Sequence, residues 1–299
     1  MLQIDLAGIK LRNFLILASG VVGSDVSMYL RAWENGIGAI VTKTFTIERR
    51  EGFTTPIITA VRCGYLNAVG LENPGKEGMK PVIEYLKKCG IPTIVSIAGR
   101  DVDEFLQLAS IAYESNADAV ELNLSCPHAK GLGLEIGLDR ELTVRIIKRI
   151  KDDFDMKVFP KLGLSSNVTE IAKSAEVAGA DGVVLINTIR GMKIDIWLAK
   201  PVLSNKFGGL SGPAIHPIAV AVVYQAYEHL NIPIIASGGV WDWEDVVEFL
   251  MAGARAVQIG SVLTDKGFEF IRETIENIKN FMNSRGYKSV EELIGVAHE

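Results

Sequence analysis

The sequence predicts an α/β chain folded as a closed (β/α)8 barrel, the TIM barrel architecture, and three observations carry that expectation. About eight short apolar runs rich in Val and Ile alternate with longer segments of helical period, the signature of βαβ units around a parallel sheet. Polar and glycine residues collect where the apolar runs end. No Pro/Gly/Ser linker, charge block or low-complexity stretch divides the 299 residues, so residues 1–299 are expected to form a single domain. An open doubly wound sheet is the competing architecture, because the same alternation can serve it.

The chain opens with Ile4-Asp5-Leu6-Ala7-Gly8-Ile9-Lys10-Leu11, expected to be a small hairpin closing the end of the barrel away from the active face. Strands are expected at 15–18, 39–43, 93–97, 119–124, 158–162, 182–187, 232–236 and 256–259. Helices are expected at 26–35, 75–88, 102–115, 139–152, 168–177, 213–229, 243–251 and 266–283. Asn35-Gly36, Ala178-Gly179 and Ala252-Gly253 supply glycine where a helix must end in a left-handed turn. Three connections on the strand-exit side are long, at 44–74, 126–138 and 189–212. In a barrel all three lie on the face where active sites are built.

Hydrophobic residues make up 48% of the chain and charged residues 22%, with a net charge of −5. Such a balance excludes extensive disorder and supplies no basic field for nucleic acid or an anionic membrane. A small-molecule ligand is the expectation. Cys63, Cys89 and Cys126 are too few for a disulfide framework and lack C-x-x-C spacing, which points to a reducing compartment and to no metal centre. The first residues, Met1-Leu2-Gln3-Ile4-Asp5, carry no leader pattern, and no stretch reaches about 18 uninterrupted apolar residues. A cytoplasmic location is expected.

The strand exits carry the chemistry. Ser237-Gly238-Gly239 and Gly260-Ser261 follow the last two strands and precede helices, the usual place for a barrel phosphate site. Lys43 and Lys161 end otherwise apolar strands, an expensive position for an ammonium group unless an anion or water meets it. Asn67 to Leu71, in the second loop, and Asn187-Thr188 offer amide and hydroxyl groups suited to a planar ligand with several carbonyl and N–H groups. Asn123-Leu124-Ser125-Cys126-Pro127-His128 places a thiol at the lip of a strand, where its thiolate could act as base or nucleophile. A buried structural cysteine is the bland alternative.

Five motifs in order, Asn67-Ala68-Val69-Gly70-Leu71-Glu72-Asn73-Pro74-Gly75, Asn123-Leu124-Ser125-Cys126-Pro127, Ile186-Asn187-Thr188, Gly208-Gly209-Leu210-Ser211-Gly212-Pro213 and Ser237-Gly238-Gly239-Val240, resemble the class 1 dihydroorotate dehydrogenases. The resemblance covers nearly the whole chain. It implies FMN-dependent oxidation of dihydroorotate to orotate in pyrimidine biosynthesis, with Cys126 taking a proton from C5 while hydride leaves C6 for flavin N5. It further implies that Lys43, Asn67, Ala68, Val69, Gly70, Leu71, Asn123, Asn187 and Thr188 hold the substrate, with Lys43 near its carboxylate. Ser19, Lys43, Thr44, Ser96, Asn123, Lys161, Ile186, Gly212, Gly238, Gly239, Gly260 and Ser261 would hold FMN, Lys161 at the N1/O2 edge of the ring.

The chain departs from the family pattern at His128 and Ser96, where many members have Asn. Leu71-Glu72-Asn73-Pro74-Gly75 and the length resemble class 1B, whose members pass electrons to a partner subunit carrying FAD and an iron–sulfur cluster, rather than class 1A, which reduces fumarate. A homodimer or heterotetramer is expected on that basis. Two other enzymes compete: an FMN barrel reductase acting on another pyrimidine, similar to dihydropyrimidine dehydrogenase, and a flavin-free sugar-phosphate barrel. Lys43 discriminates against the first, because uracil lacks a carboxylate. The second leaves Cys126 and the amides unexplained, and a purely binding module has little reason to gather lysines, amides and a thiol on one rim.

Overall fold

The computed structural model of the protein describes residues 1–124 and 139–298. Eight parallel strands close into a barrel: β1 (Leu15–Leu17), β2 (Ala39–Val41), β3 (Thr93–Ile97), β4 (Ala119–Asn123), β5 (Lys157–Leu162), β6 (Val183–Leu185), β7 (Ile234–Ser237) and β8 (Ala254–Ile259). Each pairs with its neighbours in sequence, and β8 closes on β1. The open-sheet alternative is thereby excluded. The strands read as continuous apolar runs because both faces are covered, by lumen side chains within and by helices without. Val95, Val120, Val158, Val184, Ile235 and Val257 are all fully buried.

The helices begin where short acids can cap them. Asp101 accepts from Glu104 N, Asp139 from Leu142 N, and Asp242 with Asp245 forms a reciprocal capping pair. Gly36, Gly179 and Gly253 all take positive φ, as the helix-exit pattern required. At the strand-entry end, two aspartates repeat one relationship. Asp118 accepts from Thr93 N at the start of β3 and from Lys87 Nζ. Asp181 accepts from Val158 N in β5 and from Lys151 Nζ. Each ties a strand to the start of its neighbour and to the helix before it, the kind of bond that serves stability at this end of a barrel.

The N-terminal hairpin forms as expected, with Ile4–Leu6 pairing antiparallel to Ile9–Leu11. Arg255, at the start of β8, donates to Asp5 O, which places the hairpin at the strand-entry end. One predicted helix differs. Residues 266–283 are not continuous: the chain forms Val262–Lys266, turns at Gly267 (φ +68°), and resumes as Glu269–Arg285. Gly267 takes a left-handed conformation that stops the first piece. The starts at 75 and 213 are also tighter than predicted, with 3-10 turns at Lys76–Gly78 and Pro213–Ile215 preceding the α-helices.

The long connections hold structure of their own. Ile58–Val61, Gly64–Asn67, Phe207–Ser211 and Ile189–Met192 form a four-stranded antiparallel sheet beyond the strand exits. A small core of Leu66, Ala68 and Leu203 lies against it, with Phe53, Val61 and Leu210 packed around. A second small hairpin, Ile194–Asp195 with Lys200–Pro201, exposes Trp197 at its tip. Among the described residues, no helix is long and apolar enough to cross a membrane.

Candidate active site

A cavity of about 290 Å³ opens between the strand exits and the added sheet. Thr44 is the hub of its wall. Its Oγ1 lies 3.1 Å from Ser19 Oγ after β1, 2.9 Å from Ser96 Oγ in β3, and accepts from Asn123 Nδ2 at the end of β4 across 3.1 Å. Asn187 Nδ2, after β6, donates to Asn123 Oδ1 across 3.4 Å. Five strand exits are thus linked by side-chain hydrogen bonds, and each hydroxyl or amide is satisfied by a neighbour that also faces the ligand space or supports it.

Lys43 sits just past β2 and is buried. Its backbone N–H donates to Tyr29 Oη across 2.8 Å, and Tyr29 donates in turn to Gly23 O across 2.8 Å. Burial pushes the Tyr29 phenol up to about 12, against a smaller lowering by the bond from Lys43 N. The phenol therefore stays protonated and anchors the β2 exit to the first helix. Lys43 Nζ lies over Gly20, where a Cβ would come within 3.8 Å of it.

On the cavity floor, Lys161 Nζ donates to Gln258 Oε1 across 2.6 Å, and Gln258 Nε2 donates to Glu121 Oε2 across 2.6 Å. Glu121 Oε1 lies 4.0 Å from Lys161 Nζ. These three residues point into the lumen from β5, β8 and β4, and all are buried. The sequence reading assigned Lys161 but missed Glu121 and Gln258, because both sit inside runs that otherwise read as apolar. The signal was there: a carboxylate in a strand buried on both faces requires a partner.

The opposite wall comes from the added sheet. Asn67 pairs with Gly209, and its Nδ2 donates to Gly209 O across 3.2 Å. A side chain at 209 would collide with Thr188 Oγ1, its Cβ coming within 2.2 Å, so glycine there lets the sheet close over the β6 exit. Asn187 Oδ1 accepts from Thr188 N across 2.8 Å. Asn73 holds the rest of the loop: Thr46 N and Gly75 N donate to its Oδ1, and its Nδ2 donates to Leu71 O. Tyr65 Oη donates to Asp265, joining the sheet to the helix that starts beyond Ser261.

The third wall is glycine. Gly238 and Gly239 both have positive φ, and a Cβ on Gly239 would come within 2.4 Å of the His216 backbone. His216 itself is fixed by Glu248 Oε2 at 2.9 Å and Asp245 Oδ1 at 3.4 Å. Among the described residues, the backbone N–H groups of Gly238, Gly239, Gly260 and Ser261 meet no acceptor. Amides so placed at strand exits can donate to an anion.

Ser19, Lys43, Thr44, Asn67, Val69, Gly70, Leu71, Asn123, Lys161, Ile186, Asn187, Thr188, Gly238, Gly239, Gly260 and Ser261 line this one cavity. Three residues expected at the site do not. Ser96 is fully buried behind Thr44. Ala68 points into the small core under the added sheet. Gly212 packs on the turn before Gly64, where its Cβ would lie 2.6 Å from Gly64 Cα. Cys126 and His128 lie outside the described residues.

Comparison with known proteins identifies the family. The family model described as dihydroorotate dehydrogenase matches residues 1–282. The chain is 48% identical to the dihydroorotate dehydrogenase B (NAD(+)) catalytic subunit of Pyrococcus furiosus, covering 100% of this chain and 99% of the relative. Identity to the catalytic subunit of the same description from Methanothermobacter thermautotrophicus is 44%, with 100% and 99% covered. In fold, it is similar to a crystal structure of DHODH in complex with ferulenol from Eimeria tenella, with a TM-score of 0.87 at 22% identity, covering 100% of this chain and 89% of that one. With the family model spanning most of its length and close relatives matching end to end, the chain belongs to the dihydroorotate dehydrogenase family.

Proposed function

We propose that this protein oxidises dihydroorotate to orotate in pyrimidine biosynthesis, with FMN as cofactor, as the catalytic subunit of a class 1B enzyme. The observation that carries the reading is the meeting of Lys43, Asn67, Asn123, Asn187 and Thr188 with the Gly238-Gly239 and Gly260-Ser261 amides around one cavity. A flavin mononucleotide fits these residues. The four amides without acceptors suit its phosphate, and the positive φ of Gly238 and Gly239 lets the backbone approach it closely. Lys161 suits the ring edge where reduction places negative charge.

Bound FMN supplies a hydride acceptor. The chain's own residues do the rest. Lys43 meets the substrate carboxylate, while the amides of Asn67, Asn123 and Asn187 match the planar ring's carbonyl and N–H groups. Cys126, outside the described residues, acts as thiolate base toward the C5 proton. Residues 1–299 act as a single FMN-binding domain in the cytoplasm, in a homodimer or a heterotetramer with a partner subunit that carries FAD and an iron–sulfur cluster. The chain has only three cysteines, scattered at 63, 89 and 126, so such a cluster belongs on another polypeptide.

The test has two parts. Mass spectrometry of the cofactor released from purified protein is expected to return FMN. Dihydroorotate then reduces the bound flavin while dihydrouracil does not, since only dihydroorotate has a carboxylate for Lys43. Equal reduction by both would favour the broader pyrimidine reductase. A protein that stays colourless after incubation with FMN would reject the reading.

A further inference from the structure

Glu121, Gln258 and Lys161 form a buried unit whose arrangement is unusual for an ion pair. The ammonium and the carboxylate come from neighbouring strands, β5 and β4, yet stand 4.0 Å apart rather than in contact. The Gln258 side chain, from β8, occupies both partners at once, at 2.6 Å from each. Its orientation is fixed by chemistry. An ammonium can only donate, so the amide oxygen faces Lys161; a carboxylate can only accept, so the amide nitrogen faces Glu121. Glu121 Oε1 makes no hydrogen bond among the described residues, although it faces the ammonium.

In a buried setting a lysine and a glutamate in direct contact would largely cancel each other's field. Here the amide bridges the two charged groups and holds them 4.0 Å apart, and all three residues line the cavity.

We propose that Gln258 is a positioning residue: a spacer that keeps the Lys161 ammonium from collapsing onto Glu121, so that its charge acts on the cavity while Glu121 sets how much of it is felt. The inference rests on the flavin reading above and deepens it. Reduction adds negative charge to the ring system, so a cation held at its edge favours the reduced form and raises the reduction potential. Moving that cation away lowers the potential. Removing its countercharge without moving it raises the potential.

Two substitutions separate these effects. Gln258→Met keeps both charges and the volume but removes the two hydrogen bonds that hold the ammonium and the carboxylate apart, so Lys161 falls back on Glu121. Glu121→Gln keeps the size and an oxygen for the Gln258 amide but removes the charge. The measurement is the midpoint potential of the bound flavin, from dye-coupled reductive titration without substrate. Relative to wild type, Gln258→Met is expected to weaken the preference for reduced over oxidised flavin at least tenfold, a fall of about 30 mV for a two-electron couple. Glu121→Gln is expected to strengthen it at least tenfold, a rise of similar size.

Shifts in the same direction, or a shift below that size in either variant, would overturn the proposal. A merely structural role would change thermal stability in both variants without opposite potentials. If Gln258→Met does not retain flavin, Gln258→Asn, whose amide is one methylene too short to bridge, takes its place with the same expected fall. Because the titration needs no dihydroorotate, its failure is distinct from failure of the proposed reaction, which wild-type flavin reduction by dihydroorotate reports separately.

Discussion

The Asn123 side-chain amide donates to Thr44 Oγ1 across 3.1 Å, tying the exit of the fourth barrel strand to that of the second. The same oxygen lies within hydrogen-bond distance of Ser19 and Ser96, so a single hydroxyl serves three neighbours. Thr44→Val keeps the shape and deletes the hub. Leaving buried polar partners unmet costs about 1–3 kcal/mol. We expect a lower urea midpoint and, because Ser19 and Asn123 both line the cavity, weaker flavin retention on dialysis.

The strand-entry end separates stability from binding. Asp181 accepts from Val158 N and from the ammonium groups of Lys151 and Lys157, and its side chain is 14% exposed. Asp181→Ala removes all three bonds. The expected loss is roughly 2–4 kcal/mol, read as a lower urea midpoint. Flavin content per folded chain is expected to be unchanged, since the substitution lies at the end of the barrel away from the cavity. A variant that loses flavin while keeping its midpoint would reverse this assignment.

The glycine wall has a graded prediction. Gly239 has φ +87°, and an added Cβ would strike the His216 backbone at 2.4 Å. Gly260 has room, its Cβ meeting Val21 Cγ2 at 3.4 Å. Gly239→Ala is expected to weaken flavin binding by at least about tenfold, or about 1.4 kcal/mol, whereas Gly260→Ala retains the cofactor. Fluorescence titration of the apoprotein with FMN compares them.

Tyr29 gives the protein an alkaline limit. Its phenol titrates near 10 in the unfolded chain and about 12 in the folded one, mainly because of burial. A raised pKa favours the protonated, folded form, so the contribution is complete below about pH 10 and is lost as pH rises from 10 to 12. Two pKa units correspond to about 3 kcal/mol. Tyr29→Phe is expected to be less stable than wild type at pH 8 and to close much of that gap by pH 12, as urea midpoints at each pH would show.

Much of this was readable in the residues because burial on both faces leaves continuous apolar strands, and those eight runs mark the barrel. The exits were readable for the complementary reason: Lys43, Asn123 and Gly238-Gly239 make poor core and break each run where it reaches the ligand. The added sheet was not. Tyr65 pairs with Ser211 across a long stretch of chain, and Phe207–Ser211 falls inside the 189–212 connection, where its glycines give no strand pattern. Ala68 and Gly212 belong to family motifs, yet their contacts are with the core beneath that sheet and with Gly64, which only the unforeseen pairing creates. Glu121 and Gln258 were hidden by apolar neighbours, although a buried carboxylate near a lysine-bearing strand was a clue to their meeting.

The cavity joining Lys43 to the glycine wall is proposed above to oxidise dihydroorotate through a bound flavin. Anaerobic mixing of the purified, flavin-loaded protein with dihydroorotate tests it most directly. The yellow flavin band is expected to bleach in a single turnover, with orotate formed in equal amount to the flavin reduced. Bleaching by dithionite but not by dihydroorotate would contradict it.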